Sequence, residues 1–362
     1  MRISFFGSSL VSAYWNGACT YYRGLLKEMA RLGHSITFYE PDAYDRQNHR
    51  DIADPPWARV VVYPATADGW QAALDAGARD ADLLVKASGV GVFDAELEQA
   101  LPQASSRAIN AYWDVDAPAT LEAMAERPSH HLHSAIRSYD VVFTYGGGAP
   151  VVRGYMDLGA RLCVPIYNAL DPETHHPVRA RSDLACDLSF LGNRLPDRET
   201  RAEEFFFRAA TLSPRRRFLL GGSGWETKTL PSNVRCLGHI GTADHNAFFC
   251  SGLTTLNINR SSMARFGFSP PTRVFEAAGA GACLITDPWD GISEFLEPDR
   301  EILIAEDGEQ VVAHIEALSP ERANAVGRAA IRKVLAQHTY AHRARQTHEV
   351  LEGMMLAREA AA

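Results

Sequence analysis

Short apolar runs alternate along the chain with longer stretches in which apolar residues recur three or four positions apart. MRISFFG is the first such run, and residues 17–34 follow it with helical spacing that ends at Gly33. SITFYEP is the next apolar run. Buried strands separated by crossover helices form parallel sheets. The pattern therefore predicts a doubly wound α/β fold.

The same alternation occurs twice. In the first half the further runs are RVVVYPA, DLLVKAS, RAINAYW and DVVFTYGG; in the second they are CDLSFLGN, RRFLLGG, NVRCLGH, GLTTLNINR and ACLITD. A polar segment rich in Pro, Asp and His lies between the two series, at residues 164–183. We therefore predict two Rossmann-like doubly wound parallel-sheet domains that face a cleft, with helices at the C-terminus. The predicted boundaries are 1–170, 171–335 and 336–362, the last being a helix able to pack back on the first domain.

Composition narrows the class of protein. The chain has 362 residues, 46% of them hydrophobic and 22% charged, which is the balance of a globular protein. Its formal charge of −8 provides no overall basic field, so we expect no nucleic-acid partner. No run approaches the roughly 18 apolar residues of a membrane span. The oligomeric state is left open.

Six widely spaced cysteines form no CxxC pair, which favours reduced thiols in a cytoplasmic protein. The start, MRISFFGSSLVSA, has a charged region of one residue and an interrupted apolar part, so it is a poor signal peptide.

The segment SPPTRVFEAAGAGACLITD, residues 269–287, combines several signals of a ligand site. It follows a predicted strand, and Pro270 and Pro271 suit the first turn of a helix. Free amides and the dipole at such a helix start favour a phosphate, to which Arg273 would add charge-assisted hydrogen bonds. Glu276 lies three residues further on, nearly on the same face, where a ribose diol would suit its carboxylate. An ordinary Arg–Glu surface pair is the alternative.

The wider segment PPTRVFEAAGAGACLITDPWDGISEFL resembles the C-terminal signature of the CgeB-type branch of GT-B glycosyltransferases. The similarity extends to CDLSFLGNRLPDRE, FLLGGSGW, NVRCLGHI and LNINRSSMA, and thus covers most of residues 185–305. In the first half the similarity is looser and is carried by YWDVDAP and by NGACTYYRGLLKEMARLGH, residues 16–34.

This resemblance implies the GT-B architecture, with an acceptor domain first and a nucleotide-sugar donor domain second. It also implies a nucleoside diphosphate sugar, UDP-sugar foremost, with its diphosphate at the helix start and its ribose at Glu276. Many retaining members of the fold carry a second Glu eight positions earlier. Phe268 stands there in this chain. The stereochemical outcome is therefore open.

Further donor-side candidates lie at predicted strand ends or beside the helix start. They are Gly192, Asn193, Arg194, Trp225, Gly238, His239, Asn259, Arg260, Ser269 and Thr272. Arg260 and Arg273 are assigned to stabilise the leaving diphosphate, a task that fixed positive charge can perform without a metal. Three of these candidates have a plainer alternative: Arg194 as a solvated turn residue, Trp225 as a packing residue and His239 as a structural histidine.

On the acceptor side the candidates are Gly17, Lys86, Asp114 and Asp116. Either aspartate could act as general base on an acceptor hydroxyl, whereas Asp116 could equally cap a helix. Gly17 could equally form a tight turn, and Lys86 could be a surface side chain. The DVD sequence imitates a metal motif but stands apart from the donor elements, and the histidines at 130–133 and 175–176 show no fourth ligand at fixed spacing. We expect no metal site.

Together these observations predict a metal-independent glycosyltransferase, of hexosyltransferase type and without a cofactor. It would move a sugar from a nucleotide sugar to a hydroxyl-bearing small molecule or glycan. A non-catalytic nucleotide-sugar-binding protein and a sugar-nucleotide epimerase are the alternatives on the same fold. A Rossmann oxidoreductase is disfavoured, because residues 7–12 read GSSLVS where a GxGxxG motif is required.

Overall fold

Two α/β units are formed by residues 1–14 and 16–361, the part of the chain that the computed structural model describes. Unit 1 comprises Met1–Tyr167 together with the segment from Tyr340 onward, and unit 2 comprises Asn168–Thr339. The sequence predicted divisions after residues 170 and 335. The predicted C-terminal segment ends at Ala362, which lies outside the described residues.

The sheet of unit 1 is built from seven strands among the described residues. They are β1 (Arg2–Phe6), β2 (Ser35–Asp42), β3 (Ala58–Pro64), β4 (Leu83–Ala87), β5 (Ile109–Asp114), β6 (Val141–Thr144) and β7 (Cys163–Pro165). All pair in parallel, in the order β3-β2-β1-β4-β5-β6-β7. The order reverses between β1 and β4, which is the switch point of a doubly wound sheet.

Helices connect these strands, as parallel pairing requires. They are α1 (Cys19–Arg31), α2 (Ala67–Ala78), α3 (Asp94–Ala104), α4 (Ala117–Glu126), α5 (Leu132–Ala135) and α6 (Gly148–Asp157), with 3₁₀ turns at Arg46–His49 and Ile136–Ser138. Apolar strand residues are buried against them. The Phe5 ring, for example, stacks on Phe38 and meets the edge of Tyr22 from α1.

Unit 2 repeats the plan with a six-stranded parallel sheet in the described part of the chain. Its strands are β8 (Cys186–Leu191), β9 (Phe218–Gly221), β10 (Val234–Cys236), β11 (Gly252–Asn257), β12 (Leu284–Thr286) and β13 (Leu303–Ile304). They follow the order β10-β9-β8-β11-β12-β13, so the switch point lies between β8 and β11.

The helices of unit 2 cover this sheet. They are α7 (Pro196–Ala202), α8 (Arg208–Leu212), α9 (Thr242–Ser251), α10 (Ser261–Phe266), α11 (Thr272–Gly279), α12 (Ile292–Phe295), α13 (Gly308–Ala317) and α14 (Pro320–Gln337), with a π-helical turn at Glu203–Phe207 and a 3₁₀ turn at Ser182–Leu184. Aromatic residues from strand and helix, including Phe190, Phe206 and Trp225, meet in one apolar core.

The last helix, α15 (Tyr340–Ala361), belongs to unit 1 and packs on α1. Tyr340 begins this helix, and its ring lies against Gly24 of α1. Further along, the Gln346 side chain donates to the carbonyl of Pro165 at 3.1 Å.

The predicted fold class is confirmed: both units are Rossmann-like parallel sheets covered by helices, and helices end the chain. Each predicted strand is present. Two short strands were missed, β7 and β13, which have three and two residues. Runs this short show no period of their own, and they become strands only because a neighbouring strand supplies hydrogen-bond partners.

Within the described residues, none of the helices has the length and apolar character that crossing a bilayer requires. All six cysteines carry free thiols, and four of them are buried.

Candidate functional site

The switch point of unit 2 is where an open α/β sheet binds its ligands, beyond the carboxyl ends of the two strands that flank it. Strand β8 ends at Leu191, and the chain continues through Gly192 and Asn193 to helix α7. Strand β11 ends at Asn257 and is followed by the buried Asn259. Most donor-side residues predicted from the sequence lie on these two connections or on helix α11.

Helix α11 begins at Thr272, two residues after Pro270, where the sequence predicted its first turn. Pro271 is its N-cap, with an extended ψ of 152°, and no side chain caps the helix. Pro270 is held out of helical conformation because a proline follows it. The first intrahelical acceptor is the Pro271 carbonyl, which Val274 uses at 3.0 Å. The amides of Thr272 and Arg273 precede this bond, so they can serve a ligand.

Arg273 lies in the first turn of α11 and reaches back over the switch point. Its Nη1 donates to Asn257 Oδ1 at 3.2 Å, and its guanidinium lies 5.7 Å from the centre of the Phe190 ring. Burial, followed by the charge of Arg198, lowers the pKa of the Arg273 guanidinium to about 9. No carboxylate among the described residues lies within ion-pair distance of this guanidinium, although the charges of Glu276 and Asp287 act on it, and an anionic ligand would offset the cost of its burial.

Arg198 is the second cation at this point, and the sequence reasoning missed it. Its Nη1 donates to the carbonyl of Asn193 at 3.2 Å, and its buried Nε has no partner among the described residues. A Cβ placed on Gly192 would lie 3.3 Å from Nη1 of Arg198 and 3.3 Å from Nη2 of Arg273. The two guanidiniums, here called the arginine pair, therefore converge on one glycine.

Neither member of the arginine pair has a carboxylate within ion-pair distance in the described part of the chain. Burial lowers the pKa of Arg198 as well.

The sequence does contain a signal for Arg198. Leu195-Pro196 marks a helix start directly after the switch-point strand, which puts Arg198 in a first helical turn.

The arginines that the sequence favoured beside Arg273 have carboxylate partners. Arg194 Nη2 lies 2.5 Å from Glu199, and Arg260 Nε lies 2.6 Å from Asp197. Arg260 nonetheless remains close enough for its charge to act on Arg198. Paired charge attracts a phosphate less than unpaired charge does.

Buried polar groups support the floor of this site. Asp287 is fully buried, accepts from the Asn259 amide at 3.1 Å and pairs with Arg201. Burial raises the pKa of its carboxyl. The Asn259 Nδ2 is buried and has no hydrogen-bond partner among the described residues, so it remains available to a ligand atom.

Glu276 lies one turn beyond Arg273 on α11 and is 9% exposed. It stands in a group with His175 and His245, whose ligand atoms and the carboxylate all lie within 4.8 Å of one another. His175 Nε2 is 3.4 Å from His245 Nδ1, and His245 Nε2 is 3.3 Å from the carbonyl of Ile240. Burial lowers the pKa of His245. The sequence predicted Glu276 but not its imidazole neighbours, which come from distant segments.

Trp225 occupies a packing position rather than one that offers a ring face to a base. It is fully buried against Phe190 and Phe207, and its Nε1 donates to the Gly192 carbonyl at 2.7 Å. Trp225 is therefore a packing residue, as the plainer alternative stated, and not a stacking platform for a base. By holding the Gly192 carbonyl, Trp225 helps to position the glycine on which the arginine pair converges.

Other predicted donor residues surround the site as loop positions. Gly238 has a left-handed φ of +69°, and its carbonyl accepts from the Gly222 amide at 2.7 Å, while His239 beside it is exposed. Ser269 is buried with its hydroxyl donating to the Gly267 carbonyl at 2.9 Å. Phe268 adopts a φ of +47°, which is costly for a bulky side chain and typical of constrained functional loops.

The acceptor-side candidates of unit 1 are held by neighbours within that unit. Lys86 is fully buried, with Nζ 2.6 Å from Asp94. Asp114 is also fully buried: it accepts from Ser88 Oγ at 2.8 Å and from the hydroxyl of Tyr155. Burial raises the pKa of the Asp114 carboxyl. As placed, neither side chain faces solvent.

The remaining two acceptor-side candidates are more open. Asp116 stands at the N-cap of α4, but its side chain accepts no hydrogen bond from a helix amide. Gly17 is exposed, with space around it. Their roles toward an acceptor stay predictions.

Part of the sequence matches a known protein family. Residues 198–349 match the model of a protein family described as glycosyl transferase-like, a stretch that includes most of α7, the connection after β11 and all of α11. No curated protein sequence matches the chain.

Solved structures match the chain over nearly its whole length. A sucrose-phosphate synthase from Thermosynechococcus elongatus aligns with a TM-score of 0.75 at 14% identity, covering 99% of this chain and 100% of that one. HepE from Anabaena, in complex with UDP-glucose, aligns with a TM-score of 0.68 at 14% identity and coverages of 98% and 100%. An alpha-glucosyltransferase in complex with UDP-glucose and DNA aligns with a TM-score of 0.72 at 12% identity, covering 97% of this chain and 99% of that one. The fold is therefore the GT-B fold, and residues 198–349, which include most of unit 2 and the start of α15, are similar to a glycosyl transferase-like family.

Proposed function

We propose that this protein is a glycosyltransferase that uses a nucleoside diphosphate sugar, with UDP-sugar the preferred donor, and that the switch point of unit 2 holds the nucleotide. The observation that carries the proposal is the arginine pair, Arg198 and Arg273, converging on Gly192 beside the free start of α11. Two cations without carboxylate partners at a helix N-terminus suit a diphosphate.

The rest of the nucleotide is assigned from the distances along α11. Glu276 is one turn from Arg273, so its carboxylate can accept hydrogen bonds from a ribose diol while the diphosphate lies at the helix start. The loop at Gly238 and His239 would then meet the base. The bound UDP-glucose in the HepE and alpha-glucosyltransferase structures supports a nucleotide sugar as the ligand of this fold.

Transfer would proceed by departure of the diphosphate. Negative charge grows on its oxygens as the glycosidic bond breaks, and fixed guanidiniums and helix amides stabilise it without reorganising. Arg198 and Arg273 take this role, with Arg260 as a further cation at the rim. A reaction of this kind needs no divalent metal to hold the leaving group. We assign the chain to the CgeB-type branch on the residue pattern around α11, and a hexose to the donor.

Binding of nucleotides tests the proposal first. Wild type should bind UDP more tightly than GDP or dTDP in calorimetric titrations, and Glu276→Gln should weaken UDP binding about 10-fold or more through loss of a charged acceptor. The exposed Glu294, also in unit 2, provides the control Glu294→Gln. If none of the three nucleotides binds, or if Glu276→Gln binds them like wild type, the proposal is wrong.

Product analysis with a UDP-sugar tests the reaction. Release of UDP in the presence of a metal chelator, with formation of a glycoside, is the expected result. The buried state of Lys86 and Asp114 favours one alternative, a protein that binds a nucleotide sugar without transferring it. Binding without UDP release across a panel of hydroxyl acceptors would support that alternative, and an isomerised donor would indicate an epimerase.

A further inference from the structure

We propose that His175, His245 and Glu276 form a binding site for a divalent transition-metal ion, Zn²⁺ foremost, that regulates the nucleotide site. One ligand atom from each residue lies within 4.8 Å of the other two. His175 and Glu276 are buried, and His245 is half-buried. Two imidazoles and a carboxylate are a donor set that Zn²⁺ takes, with a fourth position left for water or a ligand.

The distance between the two imidazoles fits a shared ion. His175 Nε2 and His245 Nδ1 are 3.4 Å apart. Two nitrogens that each stand about 2.0 to 2.1 Å from a tetrahedral ion are separated by roughly 3.3 to 3.4 Å.

A second contact orients one of the imidazoles for ligation. His245 Nε2 faces the carbonyl of Ile240 at 3.3 Å, so the proton of the neutral ring belongs on Nε2. The lone pair is then on Nδ1, which is the atom that faces His175. Metal-bound histidines commonly donate their other N–H to a backbone carbonyl, and this fixes both tautomer and ring angle.

The three residues are held on separate parts of unit 2. His245 is on α9 and Glu276 is on α11. The segment of His175 is tied to α9 through Asn246, whose side chain accepts from the His176 amide at 3.2 Å and donates to the Thr174 carbonyl at 2.9 Å. The two imidazoles therefore stand near ligating positions before an ion arrives, which lowers the cost of binding.

The donor set also selects the ion. Mg²⁺ and Ca²⁺ take oxygen ligands, and this group offers two nitrogens and one carboxylate. The expected ions are therefore Zn²⁺ and its spectroscopic substitute Co²⁺.

Glu276 links the metal site to nucleotide binding, an inference that rests on the proposed function. One carboxylate cannot ligate an ion and accept hydrogen bonds from a ribose diol in the same geometry. Metal and nucleotide are then alternatives at Glu276, and the ion acts as an inhibitor rather than a cofactor.

Titration of metal-stripped protein with Co²⁺, followed by visible absorption, tests the site without any nucleotide. Wild type should develop the strong bands of tetrahedral Co²⁺ at one equivalent, and Zn²⁺ should displace it. His245→Gln should lower Co²⁺ affinity at least about 30-fold, because loss of a group that merely supports a ligand already costs roughly 10-fold to 100-fold in metal affinity. His176→Gln is the matched control, because His176 is adjacent, exposed and outside the group.

Equal Co²⁺ affinity in wild type and His245→Gln, or no tetrahedral bands in wild type, overturns the proposal. Glu276→Gln provides a second variant of nearly the same shape, should His245→Gln fold poorly by circular dichroism. Its Co²⁺ affinity should fall as well, and an unchanged value counts against the site.

Competition is measured as the UDP affinity with and without saturating Zn²⁺. Zn²⁺ should weaken UDP binding to wild type about 10-fold or more, and the effect should vanish in His245→Gln. The variant also serves as a control, because chelation of the ion by the phosphates of UDP would weaken binding equally in both proteins. Zn²⁺-independent UDP binding overturns the shared use of Glu276. If UDP does not bind at all, the proposed function fails, while the Co²⁺ titration still decides the metal site.

Discussion

At the scale of single residues, the site is defined by which charges lack partners. Unit 2 brings several arginines to the switch point, but Arg194 and Arg260 are ion-paired whereas Arg198 and Arg273 are not. The sequence gives the positions of these side chains along the chain but does not specify how they pair. Arg273 and Glu276 were predicted because they share a helix turn; Arg198 joins them only in three dimensions.

The arginine pair leads to a prediction about nucleotide affinity. Arg198→Gln and Arg273→Gln should each weaken UDP binding by roughly 10-fold to 100-fold, because a charge-assisted hydrogen bond contributes about 1.5 to 3 kcal/mol. UMP binding should change less, since UMP carries one phosphate fewer. Isothermal titration of each variant with UDP and with UMP, at two salt concentrations, measures the two changes in affinity.

Arg194→Gln serves as the control for the arginine pair. Its guanidinium is ion-paired with Glu199 and partly exposed, so UDP affinity should change by less than about threefold. A larger loss for Arg194→Gln than for Arg198→Gln would contradict the assignment of the unpaired arginines to the diphosphate.

At the scale of elements, the sequence predicts where a helix starts better than it predicts which element that helix packs against. The start of α11 was predictable within one or two residues from its prolines. The packing of α15 on α1 was predictable only as a possibility, because an amphipathic helix does not specify its partner. Gly24 shows what the contact requires: the Tyr340 ring occupies the space that a side chain would need.

Gly24→Ala is expected to destabilise the contact between α1 and α15. Alanine favours helix by about 1 kcal/mol over glycine, but the added methyl group would overlap the buried Tyr340 ring, and overpacking costs about 1 to 3 kcal/mol. Hydrogen exchange should therefore accelerate in α15 peptides. Gly17→Ala, at an exposed glycine with no atom near its Cβ position, should leave exchange unchanged. Equal protection in Gly24→Ala and wild type would show that the contact tolerates the methyl group.

At the scale of the whole molecule, a buried histidine couples stability to pH. His34 is 6% exposed, its Nε2 lies 3.1 Å from His348 Nδ1 on α15, and its Nδ1 has no partner among the described residues. Burial lowers the pKa of His34 to about 4. Between that value and the ordinary pKa of about 6.5, the unfolded chain binds more protons than the folded chain.

Stability should therefore rise with pH through this window, be fully present above about pH 6.5 and be lost as the pH falls toward about 4. His34→Gln should reduce the difference in unfolding free energy between about pH 7.5 and about pH 5 by an amount on the order of 2 kcal/mol. Urea unfolding at the two pH values measures it. His49→Gln, at an exposed histidine of the same unit, should preserve the wild-type difference. A wild-type pH response in His34→Gln would rule out His34 as its source.

The sequence by itself determined the periodic features of this protein: the strands of two parallel sheets, the helices between them, and the helix of Arg273 and Glu276. Those features follow from local patterns, because burial on both faces of a strand and on one face of a helix is written at fixed spacing. The tertiary structure decided the rest. It set the strand order that creates the switch points, buried Trp225 and Asp114, and brought Arg198 to Arg273 and the two histidines to Glu276. These are contacts between residues far apart in the chain, and no local pattern records them.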